Sequence, residues 1–237
     1  MTDLEGRLVV VTGATGVLGG AVVRSFLEAG AHVAAPYRSE DAANELRASL
    51  PDAGERLMLE AAAAGDEGAM ARFADAVVRR FGRIDALGAL AGGFASGAVA
   101  DTSVDAVRRL FEQNVVTTYA TLRAVLPHMR ARAYGRIVCV AARPALRGAK
   151  NTSGYSIAKT GVVRLVESLA DEVKDEGITV NAVLPSTIDH PVNRASMPKA
   201  DPTKWVQPAE LAAAIVFLCS PQASGITGAA IPVFGRV

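Results

Sequence analysis

The chain has 237 residues, half of them apolar, and a formal net charge of +1. This is enough apolar material for a sizeable core and too little charge for a long-range field, which argues against general binding to nucleic acid or to membrane surfaces. Its two cysteines, Cys139 and Cys219, stand in apolar contexts and suggest neither a disulfide framework nor a metal site.

The opening MTDLEGRL mixes charges of both signs and has no apolar leader core, and no uncharged run is long enough to span a bilayer, so a cytoplasmic protein is expected. From there one theme recurs: a short β-branched run, a turn, then an amphipathic helix. RLVVVTG predicts a strand and VLGGAVVRSFLEAG a helix ending at Gly30. AHVAAPY predicts a second strand, and SEDAANELRASLP a capped helix stopped by Pro51. RLMLEAA follows as a third strand. DEGAMARFADAVVRRFG follows as a helix with Met70, Phe73, Val77 and Phe81 at core spacing. IDALGALAG predicts a fourth strand, and residues 104–129 a helix bent before Pro127. GRIVCVAA does not alternate, which fits a fifth strand buried on both faces. A long helix over 153–176, the strand ITVNAVLP, the helix PAELAAAIVFLCS and the strand AAIPVF complete the chain.

Strands alternating with helices imply an α/β fold, a doubly wound parallel sheet of about seven strands with helices on both faces. No linker, repeat or low-complexity tract divides it, so residues 1–237 are expected to form a single domain. The long irregular piece, Pro185 to Pro208, carries five prolines. A segment of that length in a compact domain is usually a lid, so a substrate flap is expected around 186–207.

Three features carry chemistry. Gly13, Gly16 and Gly19 fall between the first strand and the first helix, where glycines let a pyrophosphate approach the backbone and the helix N-terminus offers free N–H groups. The end of the second strand reads AAPYRSED, with Tyr37 where an acidic residue would select NADH, and Arg38 next. A guanidinium there can grip a 2′-phosphate, which favours NADPH over NADH, while Glu40 and Asp41 are close enough in sequence to bind a ribose instead. Finally, Tyr155 and Lys159 stand one helical turn apart, and a cation beside a phenol favours the phenolate and eases proton delivery.

TGATGVLG (Thr12–Gly19), FGRID (Phe81–Asp85), AGG (Ala91–Gly93), Asn114, and Tyr155 with Lys159 occur in an order that resembles the short-chain dehydrogenase/reductases across the whole chain. The resemblance implies a Rossmann-type fold that binds NAD(H) or NADP(H) and acts on a small-molecule substrate, in homodimers or homotetramers built through the helices around Asn114 and Tyr155. It further implies Tyr155 as proton donor, Lys159 as the cation that lowers the phenol pKa and holds the nicotinamide ribose, and Asn114 as support for a proton-relaying water. The implied cofactor residues are Gly13, Thr15, Gly16, Val17, Leu18, Gly19, Tyr37, Arg38, Ala91, Gly92, Tyr155, Lys159, Pro185 and Ile188. Those facing substrate are Phe94, Ala142, Arg143 and His190; no metal is implied.

The chain also departs from that pattern. Its glycines are spaced as in the extended members of the family, ALAG replaces NNAG at Ala89–Gly92, and Ala63 stands where an aspartate usually meets adenine. Pro185–Ser186 replaces a Pro-Gly pair, and the catalytic serine position is Ala142. LAGGFASG, GYSIAKTG and LPSTIDHPVNRASMPKAD are similar to the quinonoid dihydropteridine reductase branch, which also lacks the serine. Losing one preorganised donor costs about 2.7–4 kcal/mol of transition-state stabilisation. So either the substrate is an activated C=N or quinonoid compound, or Thr152, Ser153 or a water replaces the serine, or the site is no longer a redox site. The expectation is therefore an NADPH-dependent reductase of a C=O or activated C=N/quinonoid substrate. The alternative is a non-redox isomerase, cyclase or regulatory binding protein on the same fold; a pure binding module would have no chemical reason to keep Tyr155 and Lys159. Arg143, Arg147 and Lys150 form either an anion-greeting loop or a solvated one, and Met197 and Trp205 either cover the pocket or, for Trp205, anchor the core.

Overall fold

The computed structural model describes residues 4–237; Met1–Asp3, the start of the opening segment, lie outside the described residues. The strands are β1 (Leu8–Thr12), β2 (His32–Tyr37), β3 (Leu57–Ala61), β4 (Ala86–Ala89), β5 (Gly135–Val140), β6 (Ile178–Pro185) and β7 (Ala230–Val233). The helices are α1 (Val17–Glu28), α2 (Glu40–Ala48), α3 (Glu67–Phe81), α4 (Val104–Phe111), α5 (Thr117–Arg130), α6 (Ser153–Val173), α7 (Pro191–Ser196) and α8 (Pro208–Leu218). Every strand pairing is parallel, in the order β3-β2-β1-β4-β5-β6-β7.

A parallel sheet needs a crossover between neighbouring strands, and the crossovers leave no face open. Along β1, Leu8 and Val10 therefore enter one core with Phe73, Val125 and Val166 of α3, α5 and α6. Val9 and Val11 enter the other with Phe26, Leu46 and Ile215 of α1, α2 and α8. The expected cap of α2 forms, with Ser39 Oγ accepting from Ala42 N–H at 3.3 Å, and α3 is capped in the same way by Asp66 Oδ1, which accepts from Ala69 N–H at 2.8 Å. Strand order reverses between β1 and β4, and in open α/β sheets ligands bind at that switch point, beyond the C-terminal ends of the strands.

Several details differ from the sequence expectation. The 104–129 stretch is broken by a π-turn at Glu112–Val116, whereas Pro127 is carried inside α5 near its end. A π-turn adds a residue to the helical turn and re-aims a side chain, here Asn114. Helix α6 ends at Val173 rather than 176. The 186–207 segment contains α7, a short 3-10 turn at Pro202–Lys204 and a parallel bridge between Ile188 and Val206. Trp205 is buried at its base, an anchor rather than a pocket cover.

The glycine turn is tight for reasons internal to the fold. Gly13 has φ +70°, and a Cβ at Gly19 would stand 2.1 Å from the Gly13 carbonyl oxygen. That contact is with backbone, so it cannot yield cheaply. Gly19→Ala should cost roughly 3 kcal/mol and lower Tm by roughly 6–12 °C, measured by thermal unfolding. A shift within error would mean that α1 can slide along β1.

Candidate functional site

Because β1 and β4 are neighbours, their C-terminal turns meet. A Cβ at Gly13 would lie 2.9 Å from the Ala91 nitrogen, and Ala91 N–H donates to Thr12 Oγ1 at 3.3 Å. Gly16 is the N-cap of α1, which has no side-chain cap, so the first-turn amides around Val17 and Leu18 remain available to an anion, beside exposed Thr15. Gly16 itself has φ −82°, and a Cβ there would meet only the Gly13 oxygen, at an ordinary 3.5 Å. The protein's own packing does not require glycine at this position. The free first-turn amides and the absence of a side chain there fit a dinucleotide pyrophosphate.

At the end of β2, Tyr37 Oη donates to Glu40 Oε2 at 2.5 Å, and that hydrogen bond pushes the Tyr37 pKa up. Glu40 is thereby engaged, while Arg38 is exposed and makes no hydrogen bond or ion pair among the described residues.

The Ala91–Phe94 loop is fixed by the π-turn. Asn114 is fully buried; its Nδ2 donates to the carbonyls of Gly93 at 3.0 Å and Leu110 at 2.8 Å, and its Oδ1 accepts from Gly93 N–H at 3.3 Å. A Cβ at Gly92 would lie 2.6 Å from Asn114 Oδ1 and 3.3 Å from Lys159 Nζ. The loop, the amide and the ammonium are thus packed together without space for a further carbon.

Lys159 is only 6 % exposed, and its Nζ donates to the Val140 carbonyl at 2.8 Å. The same Nζ lies 5.9 Å from the Tyr155 ring centroid, and Phe94, largely exposed, meets that ring edge-on at 4.9 Å between centroids. Burial holds Lys159 down to about 8 and pushes the Tyr155 phenol up to about 12. The expected lowering of the phenol by Lys159 is not found in this arrangement, because the ammonium is turned to Val140 and burial penalises the phenolate. The phenol therefore stands protonated near neutral pH, with a cation in its neighbourhood.

Ala142 lies on the extended backbone that follows β5, 5 % exposed, and its side chain is a methyl group with no hydrogen-bonding atom. The nearby Thr152 hydroxyl donates to the Ala149 carbonyl at 2.9 Å and contacts Ser156 Oγ at 3.1 Å, so its proton is already committed. Pro185 is buried at the end of β6, and Ile188 is half-buried in its bridge to Val206. A cavity of about 260 Å³ lies between the 95–103 loop, α4 and the start of α6, lined in part by Ser96, Asp101, Thr152 and Gly154.

Two sequence candidates are occupied elsewhere. Arg143 Nη1 donates to the Val237 carbonyl at 2.9 Å, and its guanidinium lies 5.2 Å from the Phe234 ring, so it faces the C-terminal segment. His190 is the N-cap of α7, its Nδ1 accepting from Val192 N–H at 3.0 Å. Next to it, Asp189 holds Arg194 through two hydrogen bonds of 2.6 Å. Sequence reading missed the Val140 carbonyl, because a backbone acceptor leaves no mark on side-chain type. It also missed the π-turn, for which EQNVV carries no breaker residue. Among the described residues no group of three His, Cys, Asp or Glu side chains is placed to hold a metal, and no helix is long and apolar enough to cross a membrane.

Residues 13–235 match a family model described as enoyl-(acyl carrier protein) reductase, adh_short_C2. The chain is 36 % identical to the cis-4-hydroxycyclohexanecarboxylate dehydrogenase of Sinomonas cyclohexanicum over 97 % of its own length and 95 % of that protein's. It is 29 % identical to a 3-oxoacyl-(acyl-carrier-protein) reductase of Vibrio cholerae, over 98 % of both. Among solved structures, a short chain oxidoreductase of Pseudomonas aeruginosa, NADPH-bound and described as containing an atypical catalytic center, superposes with a TM-score of 0.91 at 30 % identity, covering 100 % of this chain and 98 % of that one. The Gly-rich turn at the β1–β4 switch point, the Tyr155–Lys159 turn of α6 and these matches agree over nearly the whole length, and the chain belongs to the short-chain dehydrogenase/reductase family of NAD(P)-dependent oxidoreductases.

Proposed function

We propose that the chain is an NADPH-dependent reductase of small molecules carrying a C=O or an activated C=N or quinonoid group, with Tyr155 as the proton donor. The observation that carries this reading is the packed set of Gly92, Asn114 and Lys159 beside a protonated Tyr155 phenol. When bound, the reduced nicotinamide supplies hydride. The chain's own residues do the rest. Gly13, Thr15, Gly16, Val17, Leu18 and Gly19 cradle the pyrophosphate, and Ala91, Gly92, Pro185 and Ile188 border the nicotinamide half. Lys159 holds the ribose and supplies positive charge as Tyr155 Oη loses its proton to the substrate heteroatom. Asn114 keeps the Gly92–Gly93 loop in place. Phe94 and Ala142 face the substrate, His190 edges its entrance, and the 186–207 segment closes over it as a flap, while Arg143 is held by the C-terminal segment. Exposed Phe111, Tyr119 and Ile157 on α4, α5 and α6 favour self-association through those helices.

The choice of NADPH rests on Arg38, free of internal partners beside a Tyr37 whose hydroxyl is held by Glu40. Arg38→Ala should remove most of the preference for NADPH over NADH in direct titrations. Equal wild-type affinities would overturn the assignment. Gly16→Ala should weaken both cofactors by at least about tenfold while moving Tm by no more than about 2 °C, because the added methyl occupies ligand space rather than protein space. Unchanged affinity would mean that the pyrophosphate lies elsewhere.

The pH dependence follows from Lys159. Its pKa is lowered to about 8, so the cation is present below that pH and is lost as pH rises through it, while Tyr155 keeps its proton. Reductive kcat/KM should be level below about pH 8 and fall above it, and Lys159→Arg should remove that fall from whatever activity remains, since a guanidinium stays charged. A profile level to pH 10 would show that the ammonium is not required.

Ala142 bears on the acceptor. With no hydroxyl at position 142 and the Thr152 proton held by Ala149, a developing oxyanion finds little support, and an acceptor activated by its own charge or conjugation needs less of it than an unactivated ketone does. The resemblance to the quinonoid dihydropteridine reductases points the same way. The wild-type protein should reduce iminium or quinonoid compounds far better than unactivated ketones. Ala142→Ser should raise ketone kcat/KM selectively, by up to about 10²–10³-fold. Tyr155→Phe should abolish turnover of both classes and leave cofactor affinity nearly intact. Efficient ketone reduction by the wild type, unchanged by the serine, would reverse the substrate reading; full activity of the phenylalanine variant would reverse the assignment of the proton donor.

A further inference from the structure

At the N-terminal edge of the sheet, away from the cofactor side, lies a group of buried polar side chains that the reaction does not use. Arg136, the second residue of β5, is 6 % exposed. Its Nη1 donates to the carbonyls of Gly135 and Gly177 at 2.8 and 3.1 Å, but its Nε has no partner, and the guanidinium forms no ion pair among the described residues. Thr179 is its register partner on β6, and the two side chains share a face; the Thr179 hydroxyl is buried without a partner. The Tyr134 hydroxyl is likewise buried and unpartnered, and its ring lies 4.5 Å from the Arg136 guanidinium. Of the four buried side-chain atoms without partners among the described residues, three belong to this group; the fourth, on His32, lies on a ring packed against Phe81.

The charges do not balance. Arg7 lies over the same Tyr134 ring at 4.6 Å, and Arg7 and Arg83 both pair with the buried Asp85 carboxylate. Two guanidinium groups thus share one carboxylate and the third, Arg136, has none, so the cluster carries three positive charges against one negative. Buried polar groups in native proteins are almost always hydrogen-bonded. Here all three orphaned groups can donate, and a donor set with surplus positive charge selects a negative, acceptor-only ligand. Arg7, with a side chain 30 % exposed, marks a route from solvent. The cradle for the dinucleotide is distinct, since Arg136 is four residues, about 13 Å along β5, from the Val140 carbonyl that holds Lys159.

We infer that Arg136, Tyr134 and Thr179, with Arg7 at the entrance, form a binding site for a small oxyanion such as phosphate, separate from the cofactor site. The test is thermal unfolding and calorimetric titration with inorganic phosphate at constant ionic strength, with chloride as the comparison. The Arg38→Ala protein, measured with NADH held at saturation so that the Gly13–Gly19 cradle is filled, serves as a control, because phosphate acting at either part of the cofactor site should then lose its effect while the edge site keeps it. Phosphate should raise Tm beyond chloride in the wild-type and Arg38→Ala proteins alike. Arg136→Gln should weaken phosphate binding by at least about tenfold. Tyr134→Phe combined with Thr179→Val, which keeps the guanidinium and nearly conserves shape, should also weaken it, and serves where the arginine variant does not fold. A Tm rise no larger than with chloride, a phosphate effect lost in Arg38→Ala, or full phosphate affinity in the Tyr134→Phe/Thr179→Val protein would overturn the site and leave the cluster to internal water.

Discussion

The hydrogen bond from the Lys159 ammonium to the Val140 carbonyl ties together the parts of the molecule that matter for chemistry. An ammonium taken out of water is costly unless its donors are used, and the cost shows in a pKa depressed to about 8. The charge is kept because the end of β5 presents a carbonyl beyond its last ladder bond, at the point where α6 passes over the sheet. That placement requires the right-handed crossover from β5 through α6 to β6. The ammonium then lies against Gly92, and the absence of a side chain there lets Asn114 approach the same loop. One buried cation thus fixes the relation of β4, β5, the π-turn and α6.

The same burial sets the state of Tyr155. A phenol pushed up to about 12 is a poor base and a well-kept acid, which suits a site that gives a proton away. Phe94, on a largely exposed loop, meets the Tyr155 ring edge-on. The polar support on the other side is thin. Ala142 offers no donor and the Thr152 hydroxyl is spent on Ala149. Under the proposed function, a site strong in proton supply and weak in oxyanion support places the burden of activation on the acceptor itself.

Much of this was legible before any coordinates. Strand and helix periodicity and the N-caps at Ser39 and Asp66 follow local rules, and the seven strands fall where β-branched runs predict them. The departures arise where non-local contacts act. EQNVV has ordinary helix-forming content, yet it forms a π-turn, because Asn114 satisfies its amide on Gly93, twenty-one residues away. Trp205 reads equally as a cover or an anchor until the base of the 186–207 segment is seen to bury it. Arg143 reads as a substrate contact until the C-terminal segment is seen to reach it.

The sequence by itself determined the alternation of elements, the glycine turn, the Tyr155–Lys159 spacing and the missing hydroxyl at Ala142, because each depends on residue type and on separations of a few residues. Only the tertiary structure decided which glycine serves the fold and which leaves room for a ligand. Gly19 is held by contact with Gly13, while a side-chain carbon at Gly16 would make only an ordinary contact with the Gly13 oxygen. It also decided the protonation of the site, since burial and the direction of one ammonium are set by strands and helices far apart in the chain. A pKa depends on what surrounds a group in space, and that surrounding exists only once the sheet has formed.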